Sequence, residues 1–331
     1  MTSPRKLTRL VAAGFVAAAL ATMSACGGSS AAGGGKEYTG TVKIGVFPSY
    51  QALPLYTDAA TKAFKDAGIK VELVTVATPN DAAPQLIGNK LQFASMDMTV
   101  PILAASQGTQ FSMVAPGSIG TALTADGWGT ANIFVRADSD IKSIKDLPGH
   151  KFGVPALNSQ IWLDVRTAVD EAGGDSSKIQ WVETGRTGID QVKAGAVDAT
   201  TTSEPSGTAA SKDPKLKHLT GFTSAGGNLA YAYVATKQFA ASNPDLVKRF
   251  NDAMIEINKA YNASDVDAKA AFGQKVLPDA PVELLKASRF PAFQDKPVAT
   301  DQITFAIDRM KKYGMLEGGK APEASSLLPA S

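Results

Sequence analysis

The sequence predicts an α/β protein with a largely parallel sheet, because short apolar stretches alternate with amphipathic helical stretches along most of the chain. Most of the apolar stretches end in polar residues, and residues at helical spacing follow them. Ligands of such sheets bind beyond the carboxyl ends of the strands. The polar strand ends are therefore the candidate binding site.

The N-terminal segment 1–25 is predicted to be an export signal and takes no part in the fold. It carries three basic residues, followed by the apolar stretch 10–21, which is too short to span a membrane comfortably. The sequence Met23-Ser24-Ala25-Cys26 resembles a bacterial lipobox, and that likeness implies that Cys26 is lipidated. Residues 26–40 would then be the lipidated cysteine and a flexible tether rich in Gly, Ser and Ala. A plain secretory signal cleaved near Ala25 is the alternative.

Charge and cysteine content exclude several classes of protein. The full chain has 33 basic and 31 acidic residues, so loss of segment 1–25 leaves 30 against 31 and a net charge of −1. No basic face is implied, and nucleic acid is not an expected partner. Cys26 is the only cysteine, so an intrachain disulfide cannot form. The 306 residues that remain are enough for two domains or one large one.

The first half of the chain contains four predicted strands. They lie at 41–47, 71–76, 91–97 and 111–114, with helices around 55–64, 81–89 and 100–107 between them. Three of these strands end in polar residues. The polar ends are Ser49-Tyr50-Gln51, Ser95-Met96-Asp97 and Gly117-Ser118.

The second half repeats the alternation and then becomes helical. Strands are predicted at 132–135, 151–155, 179–182, 196–202 and 229–235, and helices at 161–172, 189–194, 244–261, 265–277 and 300–313. Asn158, Ser159 and Gln160 stand directly before the helix that ends at Ala172. A helix start presents free backbone N–H groups, so this loop suits an anionic or hydrogen-bonding small molecule. An ordinary capped helix explains the same residues. Segment 318–331 is predicted to be loose.

Two runs of residues carry a resemblance to a known family. They are K-D-L-P-G-H-K-F-G-V at 145–154 and A-G-A-V-D-A at 194–199, with Glu204-Pro205 after the next strand. With them, most of segment 41–316 resembles the periplasmic substrate-binding proteins of ABC importers. The similar group binds nitrate, sulfonates, taurine or thiamine-pyrimidine precursors.

The resemblance implies the two-lobed type II periplasmic binding protein fold, with two mostly parallel sheets and a two-strand hinge. Lobe 1 would be discontinuous, at 41–130 and 233–331, and lobe 2 would be 131–232. The implied ligand-binding residues come from strand ends and a helix start in both lobes. They are Ser49, Tyr50, Gln51, Asp97, Ser118, Trp128, Asn158, Ser159, Gln160, Thr202 and Glu204. Trp128 or Tyr50 would supply an aromatic wall, and the alternative for Trp128 is packing at the hinge.

The charges in this set limit the ligand without identifying it. Backbone N–H groups near Asn158 would hold a sulfonate or carboxylate. Carboxylates from Asp97 and Glu204 would instead favour a ligand with an amine or ring N–H group. If both acids line the pocket, an aminosulfonate, an amino-acid-like solute or a pyrimidine fits better than nitrate.

Enzymatic activity is not expected. The sequence has no Walker-type phosphate loop and no His-Glu-x-x-His motif, and its two histidines are too few for a histidine-based zinc site. No cofactor or metal is predicted. The expected partners are a small solute, ABC permease subunits and the membrane through Cys26, with a monomeric protein on the outer face of the bacterial cytoplasmic membrane. A ligand sensor, or an enzyme of the same fold, is the remaining alternative.

Overall fold

A computed structural model describes residues 38–77 and 81–330 of the chain. The predicted export signal, the lipidation site Cys26 and most of the predicted tether lie outside the described residues. Within the described ranges, no helix combines the length and apolar content needed to cross a bilayer.

The first sheet has five strands in the order β2-β1-β3-β11-β4. Their bounds are β1 Val42–Val46, β2 Val71–Thr75, β3 Phe93–Asp97, β4 Phe111–Pro116 and β11 Tyr231–Thr236. β1 pairs in parallel with β2 and β3, whereas β11 runs antiparallel to its neighbours β3 and β4. The first residue of β11 therefore lies at the same edge as the carboxyl ends of the other four strands. Tyr231 pairs with Asp97 at this edge.

The second sheet repeats this arrangement in the order β10-β6-β9-β7-β8. Its strands are β6 Ala131–Arg136, β7 Lys151–Val154, β8 Gln180–Glu183, β9 Ala199–Ser203 and β10 Leu216–Phe222. β6 is the one antiparallel strand among these five. Ala131 pairs with Ser203, so the start of β6 lies beside the carboxyl end of β9.

Eleven α-helices in the described residues flank the sheets. They are α1 Asp58–Asp66, α2 Ala82–Ile87, α3 Thr99–Ser106, α4 Gln160–Glu171, α5 Gly188–Lys193, α6 Ser206–Ala210, α7 Lys237–Ser242, α8 Pro244–Ala263, α9 Val266–Val276, α10 Val282–Ala287 and α11 Thr300–Lys312. We call the first sheet and its helices lobe 1, and the second sheet with α4, α5 and α6 lobe 2. The predicted fold class, α/β with two mostly parallel sheets, is confirmed.

The chain passes between the lobes twice, in the segment after β4 and in the segment between β10 and β11. Two-residue strands β5 Ser118–Ile119 and β12 Ala292–Phe293 pair beside the first crossing. The sequence predicted that the chain returns to lobe 1 at residue 233. In the structure β11, the first element after the return, begins two residues earlier, at Tyr231.

The sequence predictions were incomplete at several elements, among them the short helices α6, α7 and α10. The stretch L-K-H-L-T-G-F at 216–222 was not recognised as strand β10, because Lys217 and His218 interrupt its apolar pattern and their side chains are half-buried. Segment 318–331 was predicted to be loose, yet residues 324–327 form a short 3₁₀ helix, and Leu327 is 1% exposed in the core. A few apolar side chains are enough to order a short segment when a neighbouring surface is available.

Two large apolar clusters hold the fold together, and a small third one surrounds Phe134 in lobe 2. Of the two large clusters, one surrounds Phe93, whose ring stacks on Phe250 of α8 at 4.0 Å, and it belongs to lobe 1 alone. The other is continuous across both lobes and includes Met113 of β4, Val165 of α4 and Ile307 of α11. The lobes therefore share buried surface through the C-terminal helix α11.

Candidate functional site

A cavity of about 160 Å³ lies between the lobes, at the edge where the carboxyl ends of the parallel strands meet. This is the place at which sheets of this kind bind ligands. The residues around it come from both lobes and both crossings. They are Phe47, Ser49, Tyr50, Gln51, Ser118, Ile119, Thr130, Ala131, Gln160, Ile161, Asp164, Ser203, Glu204, Phe222, Ser224, Ala230, Tyr231 and Pro291.

The lobe 1 wall is built on the short 3₁₀ helix Tyr50–Tyr56 that follows β1. Ser49 caps this helix, since its Oγ accepts a hydrogen bond of 3.3 Å from the backbone N–H of Gln51. The ring of Tyr50 is buried and stacks on Phe290 at 5.0 Å, and burial raises the pKa of its hydroxyl to about 12. Gln51 Oε1 and Ser118 Oγ are buried without a hydrogen-bond partner among the described residues. Such atoms are costly to bury, so they mark places for ligand or water.

Glu204 is the principal polar group on the lobe 2 wall. It follows the end of β9, and the residue is 6% exposed. Its Oε2 accepts a hydrogen bond of 3.0 Å from the backbone N–H of Thr208, while Oε1 has no partner in the described part of the chain. Burial raises the pKa of this carboxyl, and Arg289 opposes the rise. Glu204 therefore presents a buried acceptor to the cavity.

The start of α4 forms the rest of the lobe 2 wall. Gln160 and Ile161 are its first two residues, and Asp164 lies one turn further on the same face. Gln160 Nε2 donates to Asp164 Oδ1 at 2.8 Å, so the amide is already occupied in part. Asp164 was not predicted as a site residue. It stands four positions after Gln160, and residues four apart on a helix lie on the same face, so the sequence could have indicated that both line the cavity.

Three aromatic residues in the wall were also missed. Phe47 follows the last residue of β1, Phe222 ends β10 and Tyr231 begins β11. Phe47 and Tyr231 were interpreted as parts of strand patterns, and Phe222 belongs to strand β10, which was not predicted. The guanidinium of Arg186, from the loop after β8 in lobe 2, lies 5.0 Å from the ring of Phe47 in lobe 1. This contact joins the two lobes beside the cavity.

Five predicted site residues do not line the cavity. Asp97 is buried, and its Oδ1 accepts hydrogen bonds from the backbone N–H and the hydroxyl of Thr99 at the start of α3. Burial also raises the pKa of Asp97. Its role in the described structure is to satisfy the backbone at the start of α3.

The residues before α4 serve the helix itself. Ser159 is the N-cap, with its Oγ accepting from Trp162 N–H at 3.4 Å and donating to the carbonyl of Ala156 at 2.7 Å. Asn158 is exposed and has a φ of 53°, in the left-handed region that asparagine tolerates. The Thr202 hydroxyl lies 3.5 Å from the carbonyl of Ser203.

Trp128 packs at the first crossing, outside the cavity. Its ring stacks on His218 at 3.7 Å, and the Arg289 guanidinium lies 4.6 Å from the same ring. His218 Nε2 lies 3.1 Å from Asn132 Oδ1, and burial lowers the pKa of the imidazole. The predicted aromatic wall therefore comes from Tyr50 and the three missed aromatics. Packing at the hinge, the alternative given for Trp128, matches these contacts.

The charged side chains that line the cavity are carboxylates, and one of them is paired with Arg309. The described wall contains the carboxylates of Asp164 and Glu204 and no Lys, Arg or His side chain. In the described residues, no group of three or more His, Cys, Asp or Glu side chains is positioned to hold a metal ion. The wall is suited to hydrogen bonding with a small polar molecule that has N–H groups.

Comparisons with known proteins agree on one fold. The model of the NMT1/THI5-like family matches residues 49–263. The aliphatic sulphonate binding protein SsuA from Escherichia coli aligns with a TM-score of 0.68 at 17% identity, over 87% of this chain and 97% of that protein. The alkanesulfonate-binding protein SsuA from Xanthomonas axonopodis pv. citri, bound to MOPS, aligns with a TM-score of 0.67 at 14% identity, over 88% and 98%.

A third structure with the same fold is the periplasmic nitrate-binding protein NrtA from Synechocystis PCC 6803. It aligns with a TM-score of 0.64 at 13% identity, over 86% of this chain and 84% of that protein. No curated protein sequence matches the chain. At these identities the structural likeness establishes the fold, and the ligand has to be argued from the cavity.

Proposed function

This chain belongs to the NMT1/THI5-like family, and from that premise we propose that it is the extracytoplasmic solute-binding protein of an ABC importer. The observation that carries the proposal is the cavity between the lobes, where buried polar atoms of Gln51, Ser118 and Glu204 have no partner in the described residues. Protein atoms that are costly to bury unpaired are expected to meet a ligand. In this proposal the chain binds its solute and releases it unchanged.

The mechanism is closure of the two lobes around the solute. Ser49, Gln51 and Ser118 would contact it from lobe 1 and the first crossing, and Gln160 and Glu204 from lobe 2. A ligand that touches both lobes binds the closed form more tightly than the open form. It therefore shifts the population toward closure. The closed form would then be recognised by the permease subunits.

The cavity favours a small zwitterion of the taurine type. Its volume of about 160 Å³ is below the range of about 300–1,000 Å³ that is usual for drug-sized ligands. Gln160 and Ile161 occupy the first turn of α4, where backbone N–H groups have no partner within the helix and attract an anion such as a sulfonate. Glu204 Oε1 would accept a hydrogen bond from the ammonium group of this zwitterion. A bare anion such as nitrate would leave this acceptor unsatisfied.

A pyrimidine of the thiamine-precursor type is the second candidate. The aromatic rings of Phe47, Phe222 and Tyr231 line the cavity and could contact a flat heterocycle. A ring N–H or exocyclic amine would then bind Glu204. Both candidate ligands have an N–H group that would donate to Glu204. They differ at the opposite end of the molecule, which is a sulfonate in one and an aromatic ring in the other.

Anchoring by a lipid on Cys26 is part of the proposal. It would keep the protein on the outer face of the cytoplasmic membrane, within reach of the permease. Stable anchoring takes more than one acyl chain, and a lipoprotein cysteine carries several. Cys26→Ser should move the protein from the membrane fraction to the soluble fraction. Retention in the membrane would contradict the anchor.

A thermal-shift screen tests the function and its ligand class together. The probes are taurine, ethanesulfonate, nitrate, an aminopyrimidine and glycine, applied to the chain from Gly27 onward. A ligand that binds only the folded state raises the melting temperature as its concentration exceeds the dissociation constant. We expect a shift with taurine or the aminopyrimidine and none with nitrate.

Glu204→Gln should weaken the active amine probe by about 10-fold or more, because it removes a charged hydrogen-bond acceptor. Glu171→Gln, at the exposed far end of α4, is the matched control and should leave the affinity unchanged. A shift by ethanesulfonate that Glu204→Gln does not alter would contradict the role of Glu204. No shift with any probe would weigh against import of these solutes and favour a sensor with another ligand.

A further inference from the structure

Asp164 connects the ligand cavity to parts of the molecule that lie outside it. Its side chain lines the cavity and is almost completely buried. Its Oδ1 accepts from Gln160 Nε2 at 2.8 Å, from the backbone N–H of Ala225 at 3.0 Å and from Arg309 Nη2 at 2.8 Å. Its Oδ2 accepts from Ser224 Oγ at 2.8 Å. Both oxygens are therefore engaged, and two of the four donors belong to the second crossing between the lobes.

The second crossing has an unusual backbone at these donors. Ala225, Gly226 and Gly227 follow one another with φ values of 47°, 57° and 82°. This left-handed region is unfavourable for alanine, so surrounding contacts must hold Ala225 in it. One such contact is the hydrogen bond to Asp164. The ring of Phe305 in α11 lies close to the neighbouring residue, Gly226, where an added Cβ would be 3.0 Å from it.

The C-terminal helix α11 lies across this crossing and touches both lobes. On lobe 1 it packs against α3, with Ile303, Ile307 and Met310 in the shared core. Near its start, α11 also reaches the second crossing, where Gln302 Nε2 lies 3.4 Å from Asn228 Oδ1. The helix therefore runs from lobe 1 over the hinge to the neighbourhood of Asp164.

The lobe 2 end of α11 is fastened to α4 by polar contacts. Arg309 Nη2 also donates to Thr167 Oγ1 at 3.0 Å, and the Tyr313 hydroxyl donates to Asp170 Oδ2 at 2.9 Å. The Arg166 guanidinium lies 4.7 Å from the ring of Tyr313 and donates to its carbonyl at 3.3 Å. These contacts connect the lobes in addition to the two crossings of the chain and the contact of Arg186 with Phe47.

We propose that Asp164 is a positioning residue that couples the cavity to the hinge, with Arg309 as the counter-ion that keeps its carboxylate in place. The carboxylate holds residues 224 and 225 of the crossing, and α11 brings the cation from a helix that is packed on lobe 1. A change at the cavity wall is thereby transmitted to the hinge and to α11. The ligand itself meets Glu204, whose Oε1 is unpartnered, rather than Asp164.

The experiment measures the distance between the lobes without ligand, so it does not depend on the proposed import function. Spin labels are placed at the exposed positions Thr61 in lobe 1 and Lys212 in lobe 2, in a Cys26→Ser background that has no other cysteine. Pulsed electron spin resonance gives the distance distribution. Arg309→Met and Asp164→Asn should each lengthen and broaden it. The double variant should shift it no further than the larger single change, because both residues act through one contact.

Two further variants keep the test decisive if Asp164→Asn folds poorly. Ser224→Ala removes only the hydroxyl that donates to Asp164 from the second crossing, and it should shift the distance distribution in the same direction. Arg309→Lys keeps the positive charge and should leave the distribution close to that of the wild type. The exposed pair Arg136–Asp138 in lobe 2 supplies the control, and Arg136→Met should leave the distribution unchanged. Lower melting temperatures with unchanged distances would show an ordinary structural ion pair and overturn the proposal. Additive shifts from Asp164 and Arg309 would overturn it as well.

Discussion

Asp164 and Glu204 are two buried carboxylates in the wall of one cavity, yet their surroundings differ. Both oxygens of Asp164 are occupied, and Arg309 Nη2 lies 2.8 Å away in an ion pair. Glu204 accepts one hydrogen bond from Thr208, and its Oε1 has no partner in the described residues. Burial raises the pKa of both carboxyls, while Arg309 opposes the rise at Asp164 and Arg289 at Glu204.

The difference does not come from burial, which is similar at the two acids. Asp164 and Glu204 are 2% and 6% exposed. What separates them is how many of their acceptor positions the protein itself uses. A fully satisfied carboxylate organises the structure around it, and a half-satisfied one is available to a ligand. The following predictions test this distinction in order of decreasing effect.

Asp164→Ala should cause the largest loss of stability. It leaves Arg309 as an uncompensated buried cation, and breaking a buried pair in this way costs about 3–5 kcal/mol. Urea denaturation, with the slope compared between variants, measures the change. Asp138→Ala, which breaks an exposed pair, is the matched control. A loss below about 1 kcal/mol would mean that the pair at Asp164 is solvated in solution.

Glu204→Gln should have the opposite effect on stability at neutral pH, raising it by about 1 kcal/mol, because it removes a buried charge with an unsatisfied oxygen. The sign follows from the raised pKa. The folded wild type binds a proton at Glu204 more tightly than the unfolded chain does. Protonation of Glu204 therefore stabilises the wild type fully below the ordinary pKa of 4.5, and this stabilisation is lost as the pH rises through the raised pKa. The advantage of the Gln variant should therefore disappear as the pH falls toward 4.5. Melting temperatures of both proteins across this window test it, and a pH-independent difference would contradict it.

Ser159→Ala should cost about 1 kcal/mol of stability, since Ser159 caps α4. The affinity for whichever probe binds should stay the same, because Ser159 does not line the cavity. Denaturation and titration calorimetry on the same preparation separate the two effects. Weaker binding with unchanged stability would return Ser159 to the binding site, as the sequence first predicted.

Arg136→Ala should have the smallest effect, about 0.5 kcal/mol or less, because its ion pair with Asp138 is exposed. The small loss should shrink further at high salt, through screening. Urea denaturation at two ionic strengths measures it. An effect comparable to that of Asp164→Ala would erase the distinction between a buried and an exposed pair.

Much of the fold could be predicted from local patterns. The alternation at 41–47, 91–97 and 111–114 indicated strands β1, β3 and β4, since each is apolar and is bounded by turn residues. Strand β10 was missed because its partner, β6, stabilises a sequence with polar side chains at its centre. Pairing between distant strands supplies what the local pattern lacks.

The candidate site could be predicted only in part. Among the residues predicted from strand ends and the start of α4, the structure places Ser49, Tyr50, Gln51, Gln160 and Glu204 in the cavity wall. Ser118 was found in the same way. The same reasoning placed Asp97 and Ser159 there, although each is occupied at a helix start. A polar residue at a strand end has two uses, and sequence spacing does not distinguish them.

The sequence by itself determined the fold class, the family resemblance and the set of polar strand ends, because these depend on local periodicity and short motifs. Only the tertiary structure decided which of the two carboxylates keeps an oxygen without a partner in the described residues. Arg309 is 145 positions from Asp164 along the chain, and α11 brings the two together by packing on lobe 1. The same packing holds Ala225 in its left-handed conformation through Asp164. Contacts over such separations follow from the assembly of the core, which no local pattern records.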